Sequence, residues 1–142
     1  MGSSLRDTTP SARRWLGKLA LAVRVWSRFV IVRALLWRIP LPELVGRVGR
    51  PPRRRRRPLP HARLARAVHR CLHVGSRRPT CLVASLVLFR LLREQGDDAE
   101  VVIGLPDAAR SKDAHAWVEL DGIDLGPPPG RGSHVALARF GR

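Results

Sequence analysis

Cysteine is nearly absent from this chain of 142 residues, which holds two, Cys71 and Cys81. Two cysteines cannot build a disulfide framework, and their scarcity suits a reducing compartment. Acidic residues are also few, 11 against 27 basic ones, and only two of the 27 are lysine. An unbroken apolar run is missing as well. The apolar segment Leu19–Trp37 is interrupted by Arg24, Arg28 and Arg33. Each arginine costs roughly 2.5–3.5 kcal/mol at a bilayer centre, so this segment should not cross a membrane, though it can lie on one. The start, Met1–Asp7, lacks a basic head leading into an apolar run and a cleavage site. No signal peptide is expected, and a cytoplasmic location follows.

The charge that is there is unevenly placed. Residues 1–60 hold 15 basic and 2 acidic residues, whereas residues 61–142 hold 12 and 9. The second part therefore has an ordinary globular composition, and the first is the basic part. A basic segment can meet nucleic acid, anionic lipid or an acidic peptide, or simply reflect arginine-biased coding. Nucleic acid is not the favoured partner, because the run Arg53–Arg57 is by itself a weak signal.

Three parts are expected along the chain. Residues 1–39 form a basic helical segment, loose over residues 1–11 and helical from Ala12 to about Ile39. Residues 40–60 form a linker rich in proline and arginine, from Pro40 to Pro60. Residues 61–142 form the core. A helix is predicted from about Ala62 to His73, with Leu64, Ala65, Val68 and Leu72 as its apolar side. His69, Cys71 and His73 invite a zinc reading. Cys71, however, points away from the face the histidines share, and no second ligand cluster exists, so no metal or cofactor is expected.

The core is organised around Pro79–Gly96. Thr80 is a good N-cap, Pro79 excludes helix before it, and Gly96 suits the position just past the end. Leu82, Leu86 and Phe89 mark one apolar side, and Cys81, Ser85, Leu88 and Leu92 another, which predicts a largely buried helix. Its first turn carries Cys81, near backbone N–H groups that stabilise negative charge on a sulfur nucleophile and on an oxyanion. The plainer alternative is a small buried hydrophobe. Strand-like periodicity follows at Ala99–Leu105 and Asp113–Leu120, with a polar loop over residues 106–112 between them. Asp121-Gly122 is a two-residue hairpin signal leading into Ile123–Leu125. The stretch 127–130 ends the sheet pattern, and Ser133–Phe140 reads as a short helix. The fold class is α+β.

On the second strand Ala114, Ala116, Val118 and Leu120 share the apolar face, and His115, Trp117 and Glu119 the other. A thiol nucleophile needs a base, and His115 is the candidate. Helix-start Cys followed by strand His is the order found in papain-like and transglutaminase-like enzymes.

Three blocks carry a closer likeness: Arg78–Leu86, Ala99–Leu105 and Ala114–Gly122, with Pro79-Thr80-Cys81-Leu82 and His115-Ala116-Trp117-Val118-Glu119 as the specific pair. Over residues 60–126 the sequence resembles the transglutaminase-like leader peptidase of lasso-peptide biosynthesis, the stand-alone C-terminal form of the B-type protein. The resemblance implies a cysteine peptidase that removes the leader from a ribosomally made precursor peptide. A separate leader-recognition protein delivers the substrate, and an ATP-dependent macrolactam cyclase acts afterwards. It makes Cys81 the nucleophile and His115 the base. It also implies an aspartate about twelve residues after the histidine, where this chain has Pro127. Either a Cys–His dyad works with another group orienting the ring, or the hairpin has another register with Asp124 as the third member, or activity is low. Two other readings stand beside the peptidase. One is a catalytically impaired scaffold or basic binding module for nucleic acid, an anionic membrane surface or an acidic peptide. The other is acyl transfer to an amine.

Overall fold

The computed structural model describes residues 10–74, 79–106, 114–127 and 134–141. The expected loops over residues 1–9, 107–112 and 128–130 lie outside them. Four helices, α1 (Pro10–Leu36), α2 (Leu41–Val48), α3 (His61–Leu72) and α4 (Cys81–Gln95), precede four strands, β1 (Glu100–Pro106), β2 (His115–Leu120), β3 (Ile123–Gly126) and β4 (His134–Phe140). The strands form one antiparallel sheet in the order β3-β2-β1-β4. This is an α+β fold.

α4 is the middle layer, with the other helices on one side and the sheet on the other. That explains its two apolar sides: Leu86, Val87, Leu88, Phe89, Leu91 and Leu92 are all fully buried. Truncating any one of these leucines to alanine costs about 2–5 kcal/mol, the sum of lost transfer energy and the cavity left behind. Thr80 caps the helix start, its Oγ1 accepting from the Val83 N–H at 3.5 Å, and Gly96 closes the end in the left-handed conformation (φ 97°). α3 buries Leu64, Ala65, Val68 and Leu72, the side its spacing marks. Val101, Val118 and Leu120 of the sheet, and Ala99 just ahead of it, join the same core.

The hairpin between β2 and β3 turns at Asp121-Gly122, both with positive φ (52° and 78°). Such a turn carries the twist of the strands it joins. Leu120 pairs with Ile123 and Glu119 with Asp124; the register then shifts, so that Val118 pairs with Gly126.

Two segments differ from the sequence expectation. The stretch 40–60 contains α2, whose Leu44, Val45 and Val48 are buried in the shared core. Pro42 is tolerated because it sits in the first helical turn, where its missing N–H would have had no intrahelical partner. Residues 134–140 form β4 and not a helix. Local propensity there is helical, but pairing with the open edge of β1 satisfies both backbones, and that non-local gain decides.

Candidate active site

Cys81 is the first residue of α4 and is half-buried. The helical ladder begins with the Ala84 N–H donating to the Thr80 carbonyl at 3.2 Å. The N–H groups of Cys81 and Leu82 therefore lie ahead of the ladder, at the positive end of the helix dipole.

The helix start is held against β2 by two side-chain contacts. The Cys81 thiol donates to the Ala114 carbonyl at 3.9 Å, and the Ser85 hydroxyl donates to the Ala116 carbonyl at 2.9 Å. One helical turn of four residues rises about 6 Å, and two residues of strand about 6.7 Å, so side chains at i and i+4 can meet alternate carbonyls. β3 pairs with β2 over Val118–Leu120, and the thiol and hydroxyl bond to Ala114, just ahead of β2, and to Ala116 within it, before that paired stretch. The thiol thus lies beside the residue that directly precedes His115.

His115 opens β2 opposite Gly104 of β1. It shares a face with Trp117, whose ring stacks near it (centroids 6.0 Å, 19°), and with His134 of β4 at 5.0 Å. Trp117 lies against Gly104, where a Cβ would meet the Val135 carbonyl of β4 at 2.5 Å and the indole Cη2 at 2.7 Å, so a side chain there would displace both the strand and the ring. The indole Nε1 donates to Glu119 Oε1 at 2.8 Å, and Arg139 donates to Glu119 Oε2 at 2.6 Å and to Glu100 at 3.3 Å. Burial alone would raise the Glu119 pKa, but the hydrogen bonds from Arg139 and Trp117 and the arginine charge outweigh it and hold the carboxyl below its ordinary value. Glu119 is therefore ionised near neutrality and fixes Trp117; it does not carry protons.

Asp124 sits opposite Glu119, four residues from His115 along the strand, about 13 Å at strand rise. Its Oδ1 accepts from the Gly126 N–H at 2.7 Å. The shift between Val118 and Glu119 leaves Asp124 on the Glu119 side and does not carry it toward His115. The sequence marks Ser85 only as part of an apolar side, and it does not single out His134. Ser85 stands one turn after Cys81, a readable spacing, whereas His134 meets His115 only because β4 folds back on β1.

The rings of His69 and His73 lie 4.1 Å apart, and a His73 ring nitrogen lies 2.8 Å from the His69 carbonyl. Burial raises the Cys71 pKa. Among the described residues no group of three His, Cys, Asp or Glu side chains is placed to hold a metal ion.

The family model for the transglutaminase-like superfamily matches residues 26–135. The chain belongs to this superfamily. The match runs from the middle of α1 into β4 and takes in Cys81, Ser85, His115 and Trp117. A transglutaminase-like domain is typically that of a cysteine peptidase or acyltransferase. No curated protein and no solved structure matches the chain. Among the described residues no helix is long and apolar enough to cross a membrane.

Proposed function

We propose that this transglutaminase-like protein is a cysteine peptidase that removes the leader from a ribosomally made precursor peptide during lasso-peptide maturation. Cys81 is the nucleophile and His115 the base. The observation that carries the reading is the Cys81 thiol at the start of α4, 3.9 Å from the carbonyl of the residue preceding His115. The likeness of the Pro79–Leu82 and His115–Glu119 blocks to the leader peptidases supplies the substrate class.

In this reading His115 takes the proton of the Cys81 thiol, the thiolate attacks the scissile carbonyl, and the oxyanion turns toward the N–H groups of Cys81 and Leu82. His115 gives its proton to the leaving amine as the C–N bond breaks, releasing the core peptide with a free α-amino group and leaving the leader as a thioester. His115 then takes a proton from water. The resulting hydroxide breaks the thioester, the leader departs as a carboxylate, and the thiol is restored. With Pro127 in the aspartate position, packing of the imidazole against Trp117 and His134 orients it. The core peptide, now with a free amine, passes to the ATP-dependent cyclase, and the leader-recognition protein presents the uncut precursor.

The test is incubation with precursor peptide and recognition protein, read by mass. Release of a free leader carboxylate supports the proposal. A leader joined to an added amine in preference to water would turn the reading to acyl transfer. Unchanged precursor with the wild-type protein would favour the impaired scaffold that the Asp124 position and Pro127 suggest.

A further inference from the structure

We propose that the outward face of α1 docks the protein onto an anionic lipid bilayer, independently of the peptidase reading. α1 has two apolar faces and the fold uses one. Leu21, Val25 and Val32 are buried in the core. Trp15, Leu19, Val23, Trp26, Val30 and, just past the helix end, Trp37 are exposed, Trp15 at 69% and Trp37 at 79%. Three of the four tryptophans recur every eleven residues. Eleven residues are three turns plus about 20°, so the indoles fall in one line about 33 Å long. Indoles favour the boundary between water and hydrocarbon, where one end of the ring is wet and the other dry.

The charge beside this line has one sign. α1 contains no acidic residue. Arg24 and Arg28 are taken up by Glu94, but Lys18 lies over the Trp15 ring at 5.4 Å and Arg33 over Trp37 at 5.9 Å. At the start of the helix Arg13, Arg14 and Lys18, together with Arg63 of α3, line a recess of about 500 Å³ with no acidic side chain in its lining. Arg13 and Arg14 project 100° or more away from Trp15 round the helix, at about 100° per residue, so Lys18 and Arg33 are the cations that flank the indoles. Cations level with interfacial indoles are what lipid phosphates attract. A second copy of this chain is disfavoured: it would bring Arg33 into the seam and like charges to both shoulders, with no acid on α1 to pair them. The superfamily match begins at Trp26, so the first sixteen residues of α1, with Trp15 and Lys18, lie ahead of the shared domain. The helix lies flat, its inner face on the protein and its outer face in the headgroup layer.

The experiment is co-sedimentation of the full chain with phosphatidylcholine vesicles, with and without phosphatidylglycerol. Binding is expected only with the anionic lipid, falling as salt rises, with the tryptophan emission shifted to the blue. Replacing Lys18 and Arg33 by glutamine should weaken it about twenty-fivefold, since each cation near the surface contributes about fivefold. The triple change Trp15→Ser, Trp26→Ser and Trp37→Ser should weaken it about tenfold or more. If that variant misfolds, the singles Trp15→Ser and Trp37→Ser, at the most exposed positions, give the same reading. Failure to bind anionic vesicles overturns the proposal. So does binding that the tryptophan variants leave unchanged, which would mark simple polyanion attraction. A tryptophan-dependent dimer in ultracentrifugation, or tryptophan-dependent binding to an acidic protein in place of vesicles, would assign the face to that partner and overturn the lipid assignment.

Discussion

The two ends of α4 are built on opposite terms. At the C-terminal end Glu94 is 2% exposed, and its carboxylate takes hydrogen bonds from Arg24, Arg28 and Arg90, with Arg56 3.8 Å away. Gln95 clasps the Leu59 backbone through both its amide atoms, each at 3.1 Å, and Arg93 donates to the Gly49 carbonyl at 3.0 Å. At the N-terminal end Cys81 is half-buried and makes one long contact, with Ser85 a turn below making a shorter one. A buried carboxylate is tolerable only when its charge is matched, so the Glu94 end draws α1, the 53–57 run and α4 itself into one knot. That knot fixes the axis of the helix. The other end can then present a thiol at a defined place while leaving it reachable, which is what a nucleophile requires.

Removing the thiol separates the two ends most sharply. Cys81→Ala should lower leader release by about 10⁶, the scale for losing a nucleophile, with the thermal midpoint unchanged. Cys71→Ala should leave release intact. Cleavage that survives Cys81→Ala would remove the chemical role from the N-terminal end.

The next largest effect belongs to the other end and is read in stability. Glu94→Gln leaves Arg24 and Arg28, 13% and 23% exposed, without their counter-charge and should cost about 3–5 kcal/mol in urea unfolding. Ser85→Ala, which breaks one neutral hydrogen bond at the start of the helix, should cost about 1 kcal/mol. A Glu94→Gln loss no larger than that of Ser85→Ala would dissolve the contrast.

Acid should find the same knot. Burial acts to raise the Glu94 pKa, but hydrogen bonds from Arg28 and Arg24, and their charges, bring it below the ordinary carboxylate value. The folded pKa therefore lies under the unfolded one, near 4.3. The stabilisation is present above that pH and is lost as pH falls through the folded value. Glu119 works in the same direction. Wild-type stability should drop below about pH 4 by more than that of Glu94→Gln, measured by urea midpoints across pH; parallel curves would place the acid sensitivity elsewhere.

The same contrast sets what the sequence could tell. Pro79, Thr80 and Gly96 mark both limits of α4 within 18 residues, and Asp121-Gly122 marks the hairpin, because caps and tight turns are local chemistry. The partners of Glu94 on α1 lie 66 and 70 residues away, and no local pattern pairs one acid among eleven with two arginines among so many. α2 was hidden by the prolines around it, and β4 by residues of helical preference whose strand exists only against β1. Cys81 and His115 each stand in a readable pattern. His134 beside His115 is a product of folding.

Effects smaller than that of Glu94→Gln come from the two caps, and they complete the comparison. Gly96 has φ 97°, and a Cβ there would meet the Arg55 side chain at 3.0 Å. Gly96→Ala should cost about 1–2 kcal/mol, the penalty for a left-handed residue, with Arg55 free to move aside. The Thr80 Oγ1 contact is long, 3.5 Å, so Thr80→Ala should cost about 0.5–1 kcal/mol, the low end for an N-cap. Stability thus ranks the C-terminal cap above the N-terminal one. Activity should rank them the other way, because fraying the first turn displaces Cys81 from the Ala114 carbonyl, whereas the Glu94 knot absorbs strain at the far end. Measured under conditions where both variants are fully folded, leader release should fall more for Thr80→Ala than for Gly96→Ala. The reverse order would mean that the position of the thiol is set from the distant end of the helix and not by its own first turn.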